Sequence, residues 1–285
     1  YATPHACACY IKGKLNGFTA MVPGPTGPSL PPDPSLSPHE KGTSYGAPVA
    51  PAGSTEDWPT YRHDVGRSGH GSTKVPSSLR ETWKAALGGD LSSVTVGEEL
   101  VLVAQRDRNT ILALHAEDGS LARHYVAGGT VDSPPTLDGG HVYFGAGDGS
   151  VYCLRAADGA LAWRTRAATA ERRVVSFGRV ESSWPVHGSV LVQGGVVYCA
   201  AGRSSFLDGG ITMVRIDSLS GKILGSYTAY DLDSDGKEPP LQGSFDMDGA
   251  LTDILSGDGT RVFMRDLGFD KETLSPAGPA PHLYS

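Results

Sequence analysis

The chain repeats itself along much of its length, at a spacing of about forty residues. The segment Ile111–Arg123 aligns with Val151–Trp163, and both carry an Asp-Gly pair, at positions 118 and 158. A third copy begins at Met213, where Ser220-Gly221 replaces Asp-Gly after insertions that we place in loops. A repeat of this length buries its apolar faces only against its neighbours, so the chain is expected to fold as a stacked array.

Within each unit, apolar and polar residues alternate in four short runs separated by Gly-rich corners. In the second unit the runs lie near Thr136 and at 142–144, 151–154 and 161–164. Alternation with a period of two predicts strands, and four strands in about 40 residues are typical of a propeller blade. The predicted fold class is therefore all-β: an incomplete β-propeller of four-stranded antiparallel blades, with about three and a half blades in this chain.

Several positions recur for structural reasons. The glycine of each corner is expected to adopt positive φ and close a tight hairpin, and the preceding aspartate is interpreted as turn chemistry, not as a catalytic acid. Trp83 and Trp163 lie two periods apart with Arg123 midway, and we expect the tryptophans to lie on outermost strands and pack between blades. The predicted structural repeat residues are Trp83, Asp118, Gly119, Asp158, Gly159, Trp163 and Gly221.

Composition divides the chain into four parts. Residues 1–21 are predicted to be a strand remnant of a preceding blade or domain, and residues 22–56, with nine of the 20 prolines, a Pro/Gly/Ser-rich linker. Blades are expected over 57–270, and 271–285 is predicted to be a Pro-rich tail that continues into a missing segment. Because an open array exposes strand edges, we expect the remaining blades to come from the same precursor or from another chain.

The charge of the chain narrows the class of partner. Lys and Arg number 24 against 31 Asp and Glu, which gives a net charge of −7 and no basic excess of the kind that nucleic-acid binding requires. The apolar runs are short, such as Leu100–Ala104, whereas a membrane-spanning helix needs about 20 residues. We predict no nucleic-acid partner and no transmembrane segment.

Two kinds of motif carry a family resemblance. One is the A-x-D-G-x-x-x-W pattern, seen in His115–Gly119 and in Ala156–Trp163; the other is the segment Asp57–Asp64 with Arg67 and Gly69 after it. Together they resemble the PQQ-like propeller repeat family, which includes quinoprotein alcohol dehydrogenases and an outer-membrane-assembly lipoprotein. The resemblance implies a ring of seven or eight blades when completed, and a periplasmic, envelope-associated or secreted location.

The resemblance leaves two functions open. Quinoprotein dehydrogenases typically cover PQQ with a disulfide between adjacent cysteines, whereas the close pair here is Cys7-Ala8-Cys9. We therefore expect a ligand- or protein-binding scaffold of the bacterial cell envelope with no identifiable activity. The alternative is a PQQ- and Ca²⁺-dependent oxidoreductase acting on an alcohol or sugar.

Candidate ligand-binding residues follow the second unit. Five arginines lie between Arg164 and Arg179, ahead of Trp184, His187 and Ser189. Such a loop near a propeller axis is suited to a protein or a small anionic ligand, the alternative being a solvated basic loop. A triad is not predicted, since Glu181 could orient His187 only if the backbone folds back. The predicted ligand-binding residues are Arg172, Arg173, Arg179, Trp184 and His187.

Two further groups are candidates for metal binding. Asp231, Asp233 and Asp235 fit the start of a calcium loop, although Gln242 takes the place of its final glutamate; a solvated acidic loop is the alternative.

His5, Cys7 and Cys9 would share one face of a strand, which suggests either a soft-metal half-site, as in a redox or metal-delivery partner, or a disulfide to a cysteine outside this chain. Cys153 and Cys199 lie in apolar runs and are expected to be buried thiols in the core.

Overall fold

The computed structural model describes residues 38–48, 54, 56–176, 178–205, 208–230, 254–265 and 267–279. These residues form strands, with one 3-10 helix at Arg106–Arg108. The strands are β1 (His39–Lys41), β2 (Leu91–Gly97), β3 (Leu100–Gln105), β4 (Thr110–His115), β5 (Leu121–Val126), β6 (Thr136–Asp138), β7 (His141–Gly145), β8 (Ser150–Arg155), β9 (Leu161–Arg166), β10 (Arg173–Ser176), β11 (Arg179–Ser182), β12 (Leu191–Gln193), β13 (Val196–Ala201), β14 (Ile211–Asp217), β15 (Ile223–Ala229), β16 (Ser256–Gly257), β17 (Arg261–Met264), β18 (Leu267–Asp270) and β19 (Pro276–Pro279).

Four antiparallel meanders make up four successive blades. The first blade is β2–β5, the second β6–β9, the third β12–β15 and the fourth β16–β19, each with its strands in chain order. The predicted class, an incomplete propeller of four-stranded antiparallel blades, is confirmed. The fourth blade is more complete than the sequence indicated, because β19 lies in the predicted tail and pairs with β18.

The second blade carries a fifth strand that the sequence analysis missed. Strand β1 lies in the predicted linker, but it pairs with the outer edge of β9, with His39 opposite Thr165 and Lys41 opposite Trp163. The Gly42 amide then donates to the Ala162 carbonyl at 2.8 Å. Pairing of this kind covers an open edge. Proline content alone therefore did not identify the end of the predicted linker.

Apolar side chains fill the space between consecutive blades. One cluster joins the first and second blades through residues such as Leu102 and Phe144, and a second joins the second and third through Trp163 and Val214. A third cluster packs Met213 against the fourth blade. Since side chains alternate across each strand, a blade between two others buries both faces, which explains the near-continuous burial of β7 and β8.

One type of hydrogen bond recurs between each repeat unit and the glycine corner of the next unit. In each case a side chain donates to a backbone carbonyl at the same repeat position: Trp83 Nε1 to Ala116 at 2.8 Å, Arg123 Nη1 to Ala156 at 2.5 Å, and Trp163 Nε1 to Ser218 at 2.9 Å. The role predicted for the two tryptophans is thus also filled by arginine in the middle unit. Trp83 lies in an extended stretch outside any described strand.

The corner glycines allow this close approach. Gly221 has φ +65°, and a Cβ on it would lie 2.6 Å from Cδ2 of Trp163, closer than any real Cβ contact. Gly119 has φ +73° and Gly159 φ +74°, as predicted. The aspartates do not share the positive φ expected of a two-residue hairpin; instead Asp118 accepts the Ser120 amide at 2.8 Å and caps a longer turn.

Arg123→Trp should stabilise the first blade interface. Arg123 borders a crevice of about 20 Å³ between the first two blades, lined also by Leu102 and Leu154, which has room for about one water. A tryptophan would fill it and retain the indole bond to Ala156, for a gain of about 1 kcal/mol in the free energy of unfolding. Urea titration measures this change; a less stable variant would show that the crevice does not admit the larger ring.

The innermost strands border a hub, and the segment 56–71, which we call the hub segment, contributes two buried side chains to it, Thr60 and Arg67. Strand β6 contacts β2 on one side and β12 on the other. The hub segment runs beside them and forms backbone bonds with three blades: Trp58 exchanges two with Val96, Leu137 N donates to Pro59 O, and Gly257 N donates to Val65 O.

Arg67 is the centre of the hub and is fully buried, at 0% exposure. Its guanidinium donates to the Leu255 carbonyl at 2.8 Å, the Thr60 hydroxyl at 2.6 Å, the Tyr61 carbonyl at 3.0 Å and the Val190 carbonyl at 3.4 Å. Burial lowers the pKa of Arg67 to about 10, so the side chain stays charged at neutral pH. One cation therefore links the third and fourth blades, because Val190 and Leu255 directly precede their inner strands. It reaches the second blade through Thr60, whose hydroxyl bonds with that of Thr136 at 2.9 Å.

Candidate functional site

The array has two distinct faces. One face, which we call the loop face, carries the corners 106–109, 146–149 and 202–210 and the connections between blades at 127–135 and 167–190. The opposite face, the corner face, carries the repeated glycine corners at 116–120, 156–160 and 218–222. Strand direction alternates within a blade, so all corners of one type lie at one end. The predicted ligand-binding residues lie on the loop face, within the connection 167–190.

Five charged side chains form a continuous ionic chain across the loop face. Arg106 Nε lies 3.2 Å from Asp132 Oδ1, and Asp132 Oδ2 lies 2.5 Å from Nδ1 of His187. On its other side His187 Nε2 lies 3.3 Å from Glu181, and Arg203 closes the series 2.8 Å from Glu181. Positive and negative groups alternate, and the chain links the first three blades.

The two carboxylates hold His187 in its charged form. Burial opposes the charge, but the hydrogen bonds to Asp132 and Glu181 outweigh it and raise the pKa of His187 to about 9. Burial likewise acts against the Asp132 carboxylate, yet His187 and Arg106 lower its pKa to about 2. Because both ring nitrogens donate to carboxylates, His187 has no lone pair available as a general base at neutral pH.

The ionic chain should make stability depend on pH above neutrality. The pKa of His187 is raised from 6.5 to about 9, so its contribution is complete below pH 6.5 and is lost as pH rises through about 9. We expect a decrease on the order of 1–2 kcal/mol over this window, since one third of the side chain is exposed and screened. Unfolding titrations from pH 6 to 9.5 measure it.

The matched variants for this prediction are His187→Gln and His115→Gln. The first should abolish most of the slope above pH 6.5, whereas the second changes an exposed histidine outside the ionic chain and should leave it intact. An unchanged slope in His187→Gln would mean that the imidazole is not held in its charged form.

The backbone does fold back to bring Glu181 to His187, but no catalytic triad results. Ser189 is buried, and its hydroxyl donates to the Pro134 carbonyl at 3.3 Å. A nucleophile of this kind would need the imidazole as an acceptor. The arrangement therefore stabilises the inter-blade connections and offers no described nucleophile–base pair.

Two other predicted ligand residues pack against each other. The Arg172 guanidinium lies 4.9 Å from the centre of the Trp184 ring and forms an ion pair with Asp208. Trp184 Nε1 donates to the Asp208 carbonyl at 2.8 Å, and only 7% of Trp184 is exposed. Both side chains thus fasten the connection 167–190 to the corner 202–210.

Arg173 and Arg179 lie on an additional hairpin. The connection after the second blade runs from 167 to 190, whereas the one after the first runs only from 127 to 135, which agrees with the loop insertion predicted from the repeat. The extra residues form the two-stranded β10–β11 ribbon, with Arg173 opposite Ser182 and Arg179 opposite Ser176. Arg173 pairs with Glu171 at 2.9 Å.

The remaining candidate residues divide into described and undescribed groups. Cys153 and Cys199 are buried free thiols, as predicted, and burial raises the pKa of Cys199 to about 12. His5, Cys7, Cys9, Asp231, Asp233 and Asp235 lie outside the described residues. Among the residues that the structure does describe, no group of three or more His, Cys, Asp or Glu side chains is arranged to hold a metal ion. The described residues also include no helix long and apolar enough to cross a membrane.

Sequence analysis missed Asp132, Arg106, Arg203 and the role of Arg67. One signal was available: the third unit is displaced from the second by 55 residues, and this offset places Asp132 opposite His187. The repeat therefore puts the acid in one inter-blade connection and its base in the next. The arginines carry no such signal, because corners 106–109 and 202–210 differ in length.

Part of the chain matches a known protein family. A family profile described as outer membrane protein assembly factor BamB, of the PQQ-like type, matches residues 76–183. These residues are PQQ-like propeller repeats. A relative of known name is the DNA damage-responsive serine/threonine-protein kinase RqkA of Deinococcus radiodurans, 36% identical over 110 residues, which cover 36% of this chain and 16% of the kinase.

Solved structures share the architecture at low identity. The quinohemoprotein alcohol dehydrogenase ADHIIG of Pseudomonas putida HK5 matches with a TM-score of 0.55 and 18% identity, over 73% of this chain and 34% of that one. The corresponding enzyme of Comamonas testosteroni gives a TM-score of 0.56 and 14% identity, over 78% and 40%. The chain thus spans less than half the length of these relatives, and the likeness concerns the fold alone.

The resemblance to quinoprotein dehydrogenases implies PQQ, and the contacts of the hub residues show whether they fit this cofactor. The hub segment runs along the inner strands, and each guanidinium nitrogen of Arg67 donates to a protein acceptor. Thr60 and Thr136 are bonded to each other at 2.9 Å in the same place. These described hub residues therefore bond to one another and to protein carbonyls, an arrangement that does not fit a quinone held by them.

Proposed function

We propose that this chain is a sector of a PQQ-like β-propeller that serves as a ligand- or protein-binding scaffold. The observation that carries the proposal is the ionic chain from Arg106 to Arg203, in which every charge is neutralised by a neighbour and His187 is held between two carboxylates. Groups fixed in this way order the inter-blade connections and so present a rigid surface. Binding sites on repeat arrays are typically built on such connections.

We also propose that further blades complete the ring. Trp83 contacts the corner of the first blade as Trp163 contacts the corner of the third, so its extended stretch occupies the place of an outer strand of a preceding blade. Val75 and Leu79 beside it are 76% and 77% exposed. Three inner strands, from the same precursor or another chain, would cover them.

Location is part of the same proposal. A periplasmic, envelope-associated or secreted site is supported by the family resemblance and by the outer-membrane description of the matching profile. Protection of the protein from added protease in intact cells, and its loss after outer-membrane permeabilisation, would support a periplasmic site.

A recognition role is also supported by the match to a kinase. The relative in Deinococcus radiodurans is named as a DNA damage-responsive kinase, and the match covers a small part of it. Repeats within a signalling protein suit a recognition module. The alternative, a PQQ- and Ca²⁺-dependent oxidoreductase, predicts alcohol-dependent dye reduction after both are added, and the scaffold predicts none.

Site-specific photo-crosslinking in the source cells tests the scaffold directly. A photoreactive residue would replace Arg108 or Asp208 on the loop face, and Glu117 or Asp158 on the corner face; all four positions are exposed. We expect crosslinked partners from the loop-face positions and fewer from the corner face. Equal yields from both faces, or none from either, would contradict the proposal.

A further inference from the structure

The β10–β11 hairpin leaves one side of each strand without a backbone partner. Ser183 N donates to Arg172 O, so Arg172 and Ser183 form a hydrogen-bonded pair. Hydrogen-bonded pairs alternate along the hairpin, so the next two are Val174 with Glu181 and Ser176 with Arg179. In an antiparallel pair the intervening residues direct N–H and C=O outward. On β11, the outward N–H of Ser182 donates to the Gly147 carbonyl at 2.8 Å.

The outward groups of β10 belong to Arg173 and Val175. Within the described part of the chain no backbone bond is formed to the N–H or C=O of either residue from outside the hairpin. The outer edge of β10 is thus a short strand edge without a backbone partner among the described residues. Proteins usually cover such edges.

Apolar surface lies on this hairpin next to the open edge. Val175 and Val180 stand directly opposite each other and are 52% and 62% exposed. A cross-strand pair of β-branched residues at a non-hydrogen-bonded position forms one contiguous apolar surface. The opposite face of the hairpin bears Glu181, which belongs to the ionic chain. One face of the hairpin is therefore bonded to the rest of the protein, and the face with the two valines is exposed to solvent.

The hairpin also carries positive charge on an acidic protein. Arg173 and Arg179 lie on its two strands, whereas the whole chain has a net charge of −7. The other three arginines between 164 and 183 lie outside the hairpin and already pair with acidic side chains of this chain. The pair between Arg173 and Glu171 is exposed, and such pairs contribute little, so a partner carboxylate can compete for the arginine.

We propose that the β10 edge binds an extended, acidic segment of a partner protein, which adds a third strand to the hairpin. This inference rests on the proposed scaffold function and specifies its partner. Backbone bonds to Arg173 and Val175 would supply affinity, the valine pair would take an apolar side chain, and the arginines would select acidic neighbours.

Fluorescence anisotropy with a labelled peptide of alternating Glu and Val tests the chemistry on the full chain. The control is a peptide of alternating Lys and Val. The affinity for the Glu-Val peptide should exceed that for the control at least tenfold, and it should fall with added salt because exposed charge pairs are screened. Arg173→Glu should reduce binding of the acidic peptide several-fold. Equal binding of the two peptides would overturn the acidic preference.

The edge itself is tested by Val175→Pro against Val175→Thr. Proline removes the outward N–H without breaking a bond inside the hairpin, whereas threonine keeps the N–H and a similar shape. We expect at least a tenfold loss for proline and a smaller loss for threonine. Circular dichroism and unfolding curves matching those of the unaltered chain establish that the hairpin variant remains folded, and unchanged binding by Val175→Pro would overturn edge pairing.

Two outcomes separate this inference from the scaffold proposal. If Val175→Pro still yields partner crosslinks from Arg108 and Asp208, the loop face binds but the β10 edge does not. If sedimentation shows concentration-dependent dimers that Val175→Pro abolishes, the occupant is a second copy of this chain, which would also overturn the acidic-partner assignment.

Discussion

Arg67→Ala is expected to lower the free energy of unfolding by about 3–5 kcal/mol, because it removes a buried cation and leaves several buried acceptors without a donor. The side chain is fully buried, and its acceptors include the carbonyls of Val190 and Leu255, far away in sequence. The loss should affect several blades at once, since their inner strands meet at this residue. Urea-induced unfolding followed by far-UV circular dichroism measures the change.

Two further variants make this result specific. Arg67→Lys keeps the charge but loses the planar fork, so it should recover only part of the stability. Arg108→Ala removes an exposed arginine from the loop face and should alter stability by no more than about 0.5 kcal/mol. If Arg67→Ala behaved like Arg108→Ala, the hub assigned to this arginine would be wrong.

Trp163→Ala should have a comparable effect, a loss of about 3–5 kcal/mol, because a large buried ring is replaced by a cavity. Trp163 is fully buried at the interface of the second and third blades, and its Nε1 donates to the Ser218 carbonyl at 2.9 Å. It also packs against Gly221, where the absence of a side chain admits the ring. Differential scanning calorimetry measures the loss.

Trp83→Ala is the matched comparison for this prediction. Trp83 donates the same type of bond but is only partly buried, because the described residues supply no further blade behind it. Its replacement should therefore cost clearly less than that of Trp163. Equal losses would indicate that Trp83 is covered to the same extent, and a small loss for Trp163 would contradict interface packing.

The blades could be predicted from sequence because their cause is local. Alternation and positive-φ glycines are determined by neighbouring residues, so strands β3–β5 and β7–β9 and the corner at Gly159 followed from the pattern. The inter-blade role of Arg123 could not be predicted from the pattern, because its equivalence to tryptophan depends on a hydrogen bond to Ala156 in the next unit.

The loop face could be predicted only in part, because its contacts join residues that are far apart in sequence. His187 and Trp184 stood out by residue type, and the insertion that carries β10 and β11 was visible in the repeat spacing. Asp132 comes from the preceding inter-blade connection and Arg203 from a corner of the third blade, and only the stacking of blades brings them to His187 and Glu181. Strand β1 was missed because edge pairing depends on the available edge more than on the composition of the added strand.

The central claim, that the hub segment packs against the inner strands of the blades, is tested most directly by a double-mutant cycle between Thr60→Val and Thr136→Val. The two hydroxyls lie 2.9 Å apart and 76 positions apart in sequence. We predict a coupling energy of about 1 kcal/mol, whereas Thr60→Val combined with Thr212→Val in the third blade should be additive. A coupling near zero for Thr60 and Thr136 would contradict the account.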